Sequence, residues 1–201
     1  MNYLAHLYLS GNDTDLLIGN FIADAVKGRQ INAFSEKIQA GIKLHRQIDM
    51  FMDAHPIIER GKEALRPKFQ KFSGIVMDVF ADHFLAKDWD LYSNISLPEF
   101  AENTYQLLHQ HKDGFPEKCR YTLHYMSMQD WLSNYQHIEG IRRALTGLAH
   151  RSSFRSGMEN AHKELERHYM FYHNVFHEFL PEVILFVDNN RNVNYRDLLI
   201  G

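Results

Sequence analysis

The sequence predicts an all-α fold, a single-domain helical bundle over residues 1–201. Apolar residues recur every three to four positions along most of the chain, which is the period of a helix with one buried face. The β-like run at residues 183–187 is short and follows Pro181. No repeat, low-complexity block or Pro/Gly/Ser-rich linker divides the 201 residues, and this length is enough to bury one continuous core.

Capping residues and prolines divide the pattern into helices. After a first helix at residues 15–27, Ser35 can cap a helix that runs toward residue 51. Pro56 suits the first turn of the next helix, and Pro67 is expected to end it before another at residues 73–89. Ser96 and Ser156 each precede a glutamate by three positions, which predicts helix starts near residues 97 and 157. Periodicity adds helices at 116–126 and 139–150, and the polar tail from residue 189 is expected to be partly frayed.

Composition and charge narrow the functional classes. The formal net charge is −3 with 13 neutral histidines, so the protein has no overall attraction to nucleic acid or to an anionic membrane. No run approaches the roughly 20 apolar residues of a membrane-spanning helix. Cys119 is the single cysteine, which excludes an intramolecular disulfide, and no basic-then-apolar leader is visible. We therefore expect a soluble cytoplasmic protein.

Acids and histidines recur at one-turn spacing in two runs. The runs comprise His45, Asp49 and Asp53, then Asp78, Asp82 and His83. Residues four apart share one face of a helix, so each run can direct its side chains toward one point. A mixture of imidazole and carboxylate suits a divalent cation such as Mn²⁺, Fe²⁺ or Mg²⁺. The sequence therefore predicts a metal site between two helices, although Asp53 also suits a capping role before Pro56.

The order of these motifs resembles the acyl-carrier-protein phosphodiesterase family, an atypical relative of the HD-domain metal phosphohydrolases. The motifs are Asn2-x-x-Ala5-His6, Gly19-Asn20-x-x-x-Asp24, Gly41-Ile42-x-x-His45-Arg46-x-x-Asp49 and Asp78-x-x-x-Asp82-His83-Phe84-Leu85. The resemblance implies an HD-domain-like helical fold and a divalent metal, usually Mn²⁺. It also implies acyl carrier protein as partner and substrate, with hydrolysis of the phosphodiester between its serine and 4′-phosphopantetheine.

The resemblance assigns site residues position by position. It implies metal ligands among His6, Asp24, His45, Asp78, Asp82 and His83, and catalytic roles for Asp24 and Asp49. Arg46 is a further catalytic candidate because it directly follows His45 and could hold a phosphate oxygen. We expect His45, Asp82 and His83 as ligands, with Asp24 either a ligand or the general base. Asp49 and Asp78 complete the ligand set or hold ligand imidazoles. HD enzymes carry His followed by Asp, whereas here Asp82 precedes His83, so their ligands cannot be transferred directly.

Several assignments stay open at this stage. His6 suits a buried core position equally well, and Arg46 and Arg151 suit either a phosphate oxygen or a surface ion pair. Trp131 is expected in the core rather than in a groove, and the basic run at residues 60–71 suits a solvated face as well as a docking strip. His173 and His177 are among the histidines expected to be structural or solvent-facing. The alternative functions are a nucleotide or other small phosphate-ester hydrolase, and a non-catalytic module that binds carrier protein or metal.

Overall fold

The computed structural model describes the backbone of residues 1–197 and the side chains of residues 1–190. The described backbone is mostly helical and contains no strand, which confirms the predicted all-α class. Short 3₁₀ turns connect several of the helices. The α-helices are α1 (Tyr3–Leu9), α2 (Thr14–Ile22), α3 (Glu36–Ala54), α4 (Pro56–Phe69), α5 (Ser73–Lys87), α6 (Leu97–His111), α7 (Glu117–Met128), α8 (Trp131–Asn134), α9 (Ile138–Arg151), α10 (His162–Arg167) and α11 (Tyr169–Asp197).

Helix α5 lies at the centre of the bundle, with α1, α4, α9 and α11 packed around it. Its side chains are buried on almost every face, and Phe80 and Phe84 are among the largest fully buried groups of the described chain. A helix that is covered all round has no polar stripe, so any polar residue in it must find a hydrogen-bonding partner inside the protein. Asp82 and His83 are two such residues.

Helices α2 and α3 cross in unusually close contact at Gly19 and Gly41. A Cβ added to Gly41 would lie 2.4 Å from the carbonyl oxygen of Leu16, and one added to Gly19 would lie 2.2 Å from that of Ile38. Both are far shorter than any real carbon–oxygen contact, and backbone atoms cannot rotate away as a side chain can. The two glycines therefore set the distance between α2 and α3, on which the site described below depends.

Most predicted helix starts are confirmed. The hydroxyl of Ser35 accepts a hydrogen bond from Ile38 N at the start of α3, and that of Ser96 accepts one from Glu99 N at the start of α6. Pro56 occupies the first turn of α4. These side chains satisfy amides that have no partner within the helix, or remove the need for one, which is why local sequence identifies them.

Two predicted boundaries were wrong. Pro67 does not end α4, which continues to Phe69 before Gln70 adopts a positive φ of 47°. Near residue 157 the chain forms a 3₁₀ turn, and α10 begins only at His162, because Gly157 takes a left-handed φ of 71° that no helix continues.

The C-terminal third also differs in detail from the pattern. Residues 183–187 lie inside α11, which accommodates Pro181. The polar tail expected to fray from residue 189 is helical to Asp197, and its last four residues lie outside the described part. None of the described helices is both long and apolar enough to span a bilayer.

Candidate metal and active site

Two histidines and one aspartate meet where α1 and α3 come together. His6 Nε2 lies 3.0 Å from Asp49 Oδ1, and His45 Nε2 lies 3.2 Å from Asp49 Oδ2. The two imidazole rings stack with their centroids 3.9 Å apart and an interplanar angle of 21°. Asp49 is half-buried, whereas both histidines are buried. The ligand atoms of these three residues are close enough together to hold one metal ion.

Asp24 adds a second carboxylate from a different element. It lies in the 3₁₀ turn Ala23–Ala25 that follows α2, with its Oδ1 3.3 Å from His45 Nε2. Its side chain is 76% exposed, so it faces solvent while it touches the buried cluster. Of the charged residues in this cluster, which consists of His6, Asp24, His45 and Asp49, it is therefore the one most accessible to an incoming water or substrate.

Asn20 fixes the orientation of the His45 ring. The Asn20 amide nitrogen donates hydrogen bonds to the His6 carbonyl oxygen at 3.0 Å and to Ser10 Oγ at 2.9 Å. Its oxygen is thereby directed at His45 Nδ1, 3.0 Å away, and accepts a hydrogen bond from it. With hydrogen on Nδ1, the Nε2 lone pair of neutral His45 faces the carboxylates, which is the arrangement found around metal-bound histidines. Asn20 is part of one of the sequence motifs, but the sequence alone did not indicate this role.

The electrostatics of the cluster leave it short of positive charge. Burial lowers the pKa of His45, but hydrogen bonds to Asp24 and Asp49 outweigh burial and raise it to about 9. Burial, with the nearby charge of His45, lowers the pKa of His6 to about 4. Burial raises the pKa of Asp49, yet hydrogen bonds from both histidines bring it well below its usual range. The Met1 amino group, 3.4 Å from Asp49 Oδ1, balances part of the charge of the two carboxylates. A proton on His45 or a divalent cation would balance the rest.

The other nitrogen of His6 gives a further sign of a functional arrangement. His6 Nδ1 is buried and makes no hydrogen bond to any described group. An unpaired buried polar atom costs about 1–3 kcal/mol, so a purely structural histidine would be expected to satisfy it. His6 is held instead through Nε2, which points at Asp49.

Asp78 lies beside this cluster but is not part of it. Its Oδ1 accepts a hydrogen bond from the amino group of Met1 at 3.0 Å, and the same amino group lies 3.4 Å from Asp49 Oδ1. Burial raises the pKa of Asp78, partly offset by this amino group. In this arrangement the predicted ligand Asp78 binds a cationic nitrogen rather than facing the two histidines.

The structure places Asp82 and His83 away from the cluster, although both were expected to be ligands. Asp82 is fully buried, and its two oxygens accept hydrogen bonds from the backbone amides of Leu4 and Ala5, so it caps α1 from α5. The nitrogens of His83 contact the Tyr135 carbonyl oxygen at 2.8 Å and the Tyr169 hydroxyl at 3.1 Å. Both side chains are thus occupied by partners outside the cluster.

The buried carboxyl of Asp82 should leave a signature in stability against pH. Burial outweighs the two amide hydrogen bonds and raises its pKa to about 7. The folded protein then holds a proton that the unfolded chain loses near pH 4, so Asp82 lowers stability as pH rises from about 4 to 7. We expect Asp82→Asn, measured by urea unfolding in chelator, to lose less stability between pH 5 and 8 than the unaltered protein, by a few kcal/mol.

Asp90→Asn is the matched control for this experiment because Asp90 is exposed in the 3₁₀ turn Trp89–Leu91. Its stability curve should run parallel to that of the unaltered protein. Parallel curves for Asp82→Asn as well would contradict a carboxyl that titrates on unfolding.

The guanidinium group of Arg46 is bound to the backbone beside Asp24. Its Nη2 donates a hydrogen bond to the Val26 carbonyl oxygen at 2.8 Å. Asp53, one turn beyond Asp49, is exposed and lies 3.8 Å from Lys62 Nζ. On the basic run of α4, the cations Arg60, Lys62, Arg66 and Lys68 are each ion-paired with acidic residues.

A cavity of about 550 Å³ opens from the cluster. His6, Asp24 and His45 form one part of its wall. Aromatic side chains and cations line the rest, and among them are Tyr3, Tyr125, Trp131, Lys118, Arg143 and Arg151. Trp131, expected in the core, is half-buried and lies on this wall. The cavity has the size and mixed lining of a site for a small organic ligand with an anionic group.

The fold and the site together define an all-α protein with a carboxylate–imidazole cluster, suited to a divalent cation, at one side of a cavity that carries positive charge. Comparison with known proteins gives the family. The family model described as "Acyl carrier protein phosphodiesterase" matches residues 1–183. The chain belongs to the acyl carrier protein phosphodiesterase family, which is a family of hydrolases.

Relatives of the same description are similar over almost their whole length. The acyl carrier protein phosphodiesterase of Photorhabdus laumondii subsp. laumondii is 30% identical over 190 residues, which are 94% of this chain and 96% of the relative. That of Yersinia pestis is 30% identical over 185 residues, 92% and 96% of the two chains. That of Enterobacter sp. (strain 638) is 30% identical over 192 residues, 95% and 100%. No solved structure matches the chain, so the likeness to HD-domain enzymes stays a prediction.

Proposed function

We propose that this protein hydrolyses the phosphodiester that joins 4′-phosphopantetheine to the serine of holo-acyl carrier protein. Water supplies a hydroxyl group to phosphorus and a proton to the serine oxygen, so the products are apo-acyl carrier protein and free 4′-phosphopantetheine. The observation that carries the proposal is the cluster of His6, Asp24, His45 and Asp49. All of its members except Asp49 form part of the wall of a cavity lined by aromatic and cationic side chains. Family membership supports the substrate.

His6, His45 and Asp49 are the residues that would hold a divalent cation, and Asp24 would join them or orient water. The donor set fits such an ion: the hydrogen bond to Asn20 leaves the His45 Nε2 lone pair directed at the carboxylates. Imidazole together with carboxylate favours Mn²⁺, with Mg²⁺ or Fe²⁺ as alternatives. When bound, such an ion screens the phosphate charge and lowers the pKa of a coordinated water.

The chain's own groups account for binding and proton transfer. Asp24 is the exposed carboxylate of the cluster, and in this proposal it accepts a proton from the attacking water. Its hydrogen bond with His45 lowers the pKa of Asp24, so the carboxylate is ionised at neutral pH. Asn20 keeps the His45 ring in one orientation throughout, because it is itself anchored by Ser10 and the His6 carbonyl.

The remainder of the cavity suits the two ends of the substrate. Arg151 lies on the wall and can offer its guanidinium group to phosphate oxygens, and Lys118 adds an ammonium group. Arg143 also lies on the wall but is paired with Glu139, and Arg46 is occupied by the Val26 carbonyl. Tyr3 and Trp131, whose rings are 6.4 Å apart, provide an apolar surface for the pantetheine arm. The charges of the α4 cations are already balanced by ion pairs with acidic residues. The cavity mouth is therefore a better place than α4 to attract an acidic carrier protein.

Mass spectrometry of holo-acyl carrier protein tests this proposal. The protein is stripped of metal with chelator and incubated with the carrier protein, either without added metal or with Mn²⁺. We expect loss of the 4′-phosphopantetheine mass from the carrier protein only when Mn²⁺ is present, and restoration of activity after dialysis and metal addition.

Two further samples make the result specific. The His111→Gln variant should behave like the unaltered protein, because His111 is exposed at the end of α6. Free 3′,5′-cyclic and linear nucleotides serve as competing substrates. An unchanged carrier protein with folded enzyme and Mn²⁺, Mg²⁺ or Fe²⁺ would overturn the proposal, and hydrolysis of the nucleotides alone would favour the general phosphate-ester hydrolase.

A further inference from the structure

A second cluster of ligand-type side chains lies where the end of α5 meets α11. Asp88 is the C-cap residue of α5, and His173 and His177 are one turn apart on α11. His173 Nε2 lies 2.9 Å from Asp88 Oδ2, and His177 Nε2 lies 2.8 Å from the same oxygen. The two Nε2 atoms are 3.0 Å apart. None of the three residues lines the cavity or belongs to the first cluster.

With Asp88 as a carboxylate, no placement of protons turns all three contacts of this triangle into hydrogen bonds. If both Nε2 atoms carry hydrogen, each can donate to Asp88, but the two hydrogens then oppose each other across 3.0 Å. If one Nε2 is bare, its lone pair faces the carboxylate oxygen at 2.8 or 2.9 Å. A cation that accepts all three lone pairs removes both conflicts, since the three atoms then become ligands of one centre.

The neighbours of the triangle hold its imidazoles in place. The Tyr92 hydroxyl oxygen lies 2.7 Å from His177 Nδ1. It can accept a hydrogen bond from the N–H group that Nδ1 must carry when Nε2 binds a metal. Phe84 meets the His173 ring edge-on at 5.3 Å, and the Tyr169 ring stacks against it at 6.3 Å. The contact at His177 Nδ1 matches what metal-bound histidines usually have, and His173 is positioned by ring packing.

The position of Asp88 is also unfavourable without a cation. The C-terminus of a helix carries partial negative charge, so an acid at the C-cap of α5 is repelled by the helix that presents it. The side chains are 21% exposed for Asp88, 26% for His173 and 29% for His177. An ion could therefore enter from solvent, and water could occupy a remaining coordination position.

We propose that Asp88, His173 and His177 form a second metal site, which takes a divalent transition-metal ion such as Zn²⁺ and joins α11 to the end of α5. Two imidazoles and one carboxylate form a three-ligand set that zinc commonly uses. The ligand atoms of a tetrahedral zinc ion lie about 3.3 Å apart, so shifts of a few tenths of an ångström in these side chains suffice. This site is independent of the hydrolytic function proposed for the first cluster.

Zinc stoichiometry tests the proposal. The metal-free protein is dialysed against micromolar Zn²⁺, and bound metal is counted by mass spectrometry of the elements, first with the full chain and then in an Asp49→Asn background that disables the first cluster. We expect one zinc per chain to remain in that background. Replacing His173 and His177 by glutamine should remove it, with affinity reduced at least about 100-fold, whereas His111→Gln should retain it.

Cobalt substitution provides a readout that does not depend on the glutamine variants folding. Co²⁺ bound in the Asp49→Asn background should show the strong visible absorption of a four-coordinate ion, and the ring proton signals of His173 and His177 should be the ones shifted in NMR spectra. Absence of tight zinc binding in this background, or zinc retained at full affinity in the double glutamine variant, would overturn the second site.

Discussion

Asp49→Asn is expected to abolish metal-dependent hydrolysis while the protein stays folded. Asp49 places one oxygen against the Nε2 atom of each histidine, so it connects α1 with α3 and supplies the central negative charge of the cluster. Asparagine has nearly the same shape but offers one weaker oxygen and a nitrogen that binds no metal. Loss of residues that only support a ligand costs about 10–100-fold, so loss of the bridging carboxylate should lower kcat/KM by at least about 100-fold.

Asp53→Asn gives a matched comparison from the same helix. Asp53 is one turn beyond Asp49, exposed and directed toward Lys62, so its amide variant should keep full activity. Steady-state kinetics on holo-acyl carrier protein, with metal content and helical content measured on the same samples, separate the two variants. Equal activity for both would exclude Asp49 from the reaction, and loss of helical content in Asp49→Asn alone would move its role to stability.

Gly41→Ala should cause a large loss of stability for a change of one methyl group. The added Cβ would meet the Leu16 carbonyl oxygen at 2.4 Å and the Gly19 Cα at 2.9 Å, both of them backbone atoms. Helices α2 and α3 would have to separate, which should cost roughly 3 kcal/mol. For a chain of this size the midpoint of thermal unfolding would fall by about 6–12 °C. Because Asn20 follows Gly19, separation would also lengthen the hydrogen bond from His45 to Asn20.

Gly74→Ala is the control for this change. Gly74 is also helical, but its added Cβ would meet only side-chain atoms, Asp53 Oδ1 at 3.8 Å and Lys62 Cδ at 4.0 Å, which are ordinary contacts. Alanine is the better helix former, so this variant should be as stable as the parent or more stable by up to about 1 kcal/mol. The midpoints of thermal unfolding of both variants are compared in the presence of chelator. Equal midpoints for Gly41→Ala and Gly74→Ala would contradict the close contact between α2 and α3.

The sequence predicts the helices well because their signals are local. Ser35, Ser96 and Pro56 act within one turn of where they stand, so no knowledge of tertiary contacts is needed to place helix starts. The boundaries predicted from Pro67 and Ser156 were wrong because other features outweighed these local signals. A proline near a helix end costs less than one in the middle, and the left-handed Gly157 outweighs a Ser–Glu capping pattern.

The site was predictable only in part, because spacing on one helix does not say what faces it. His45 and Asp49 are four apart on α3 and do converge, and His6 and Asp24 were reached through the ordered motifs. Asp82 shows the opposite case, since its spacing from Asp78 suggested a shared metal face although its partners are amides of α1.

The second cluster was missed for a similar reason. His173 and His177 show the right spacing, but their partner Asp88 is 85 residues away from His173 in the sequence. Nothing local links the two segments, and only the packing of α11 against α5 brings them together.

The geometry of the active-site region depends on how the short helix α1 is held in place. Seven residues are too few to form a stable helix alone, so α1 stays in place because Asp82 holds its first amides and Asn20 holds the His6 carbonyl. His6 thus reaches Asp49 only when α1 is docked. Docking of α1 and binding of a cation by His6 are then coupled: each raises the equilibrium constant of the other by the same factor. The affinity for the cation, measured in variants of residues that do not contact the ion, would therefore report how stably α1 is docked.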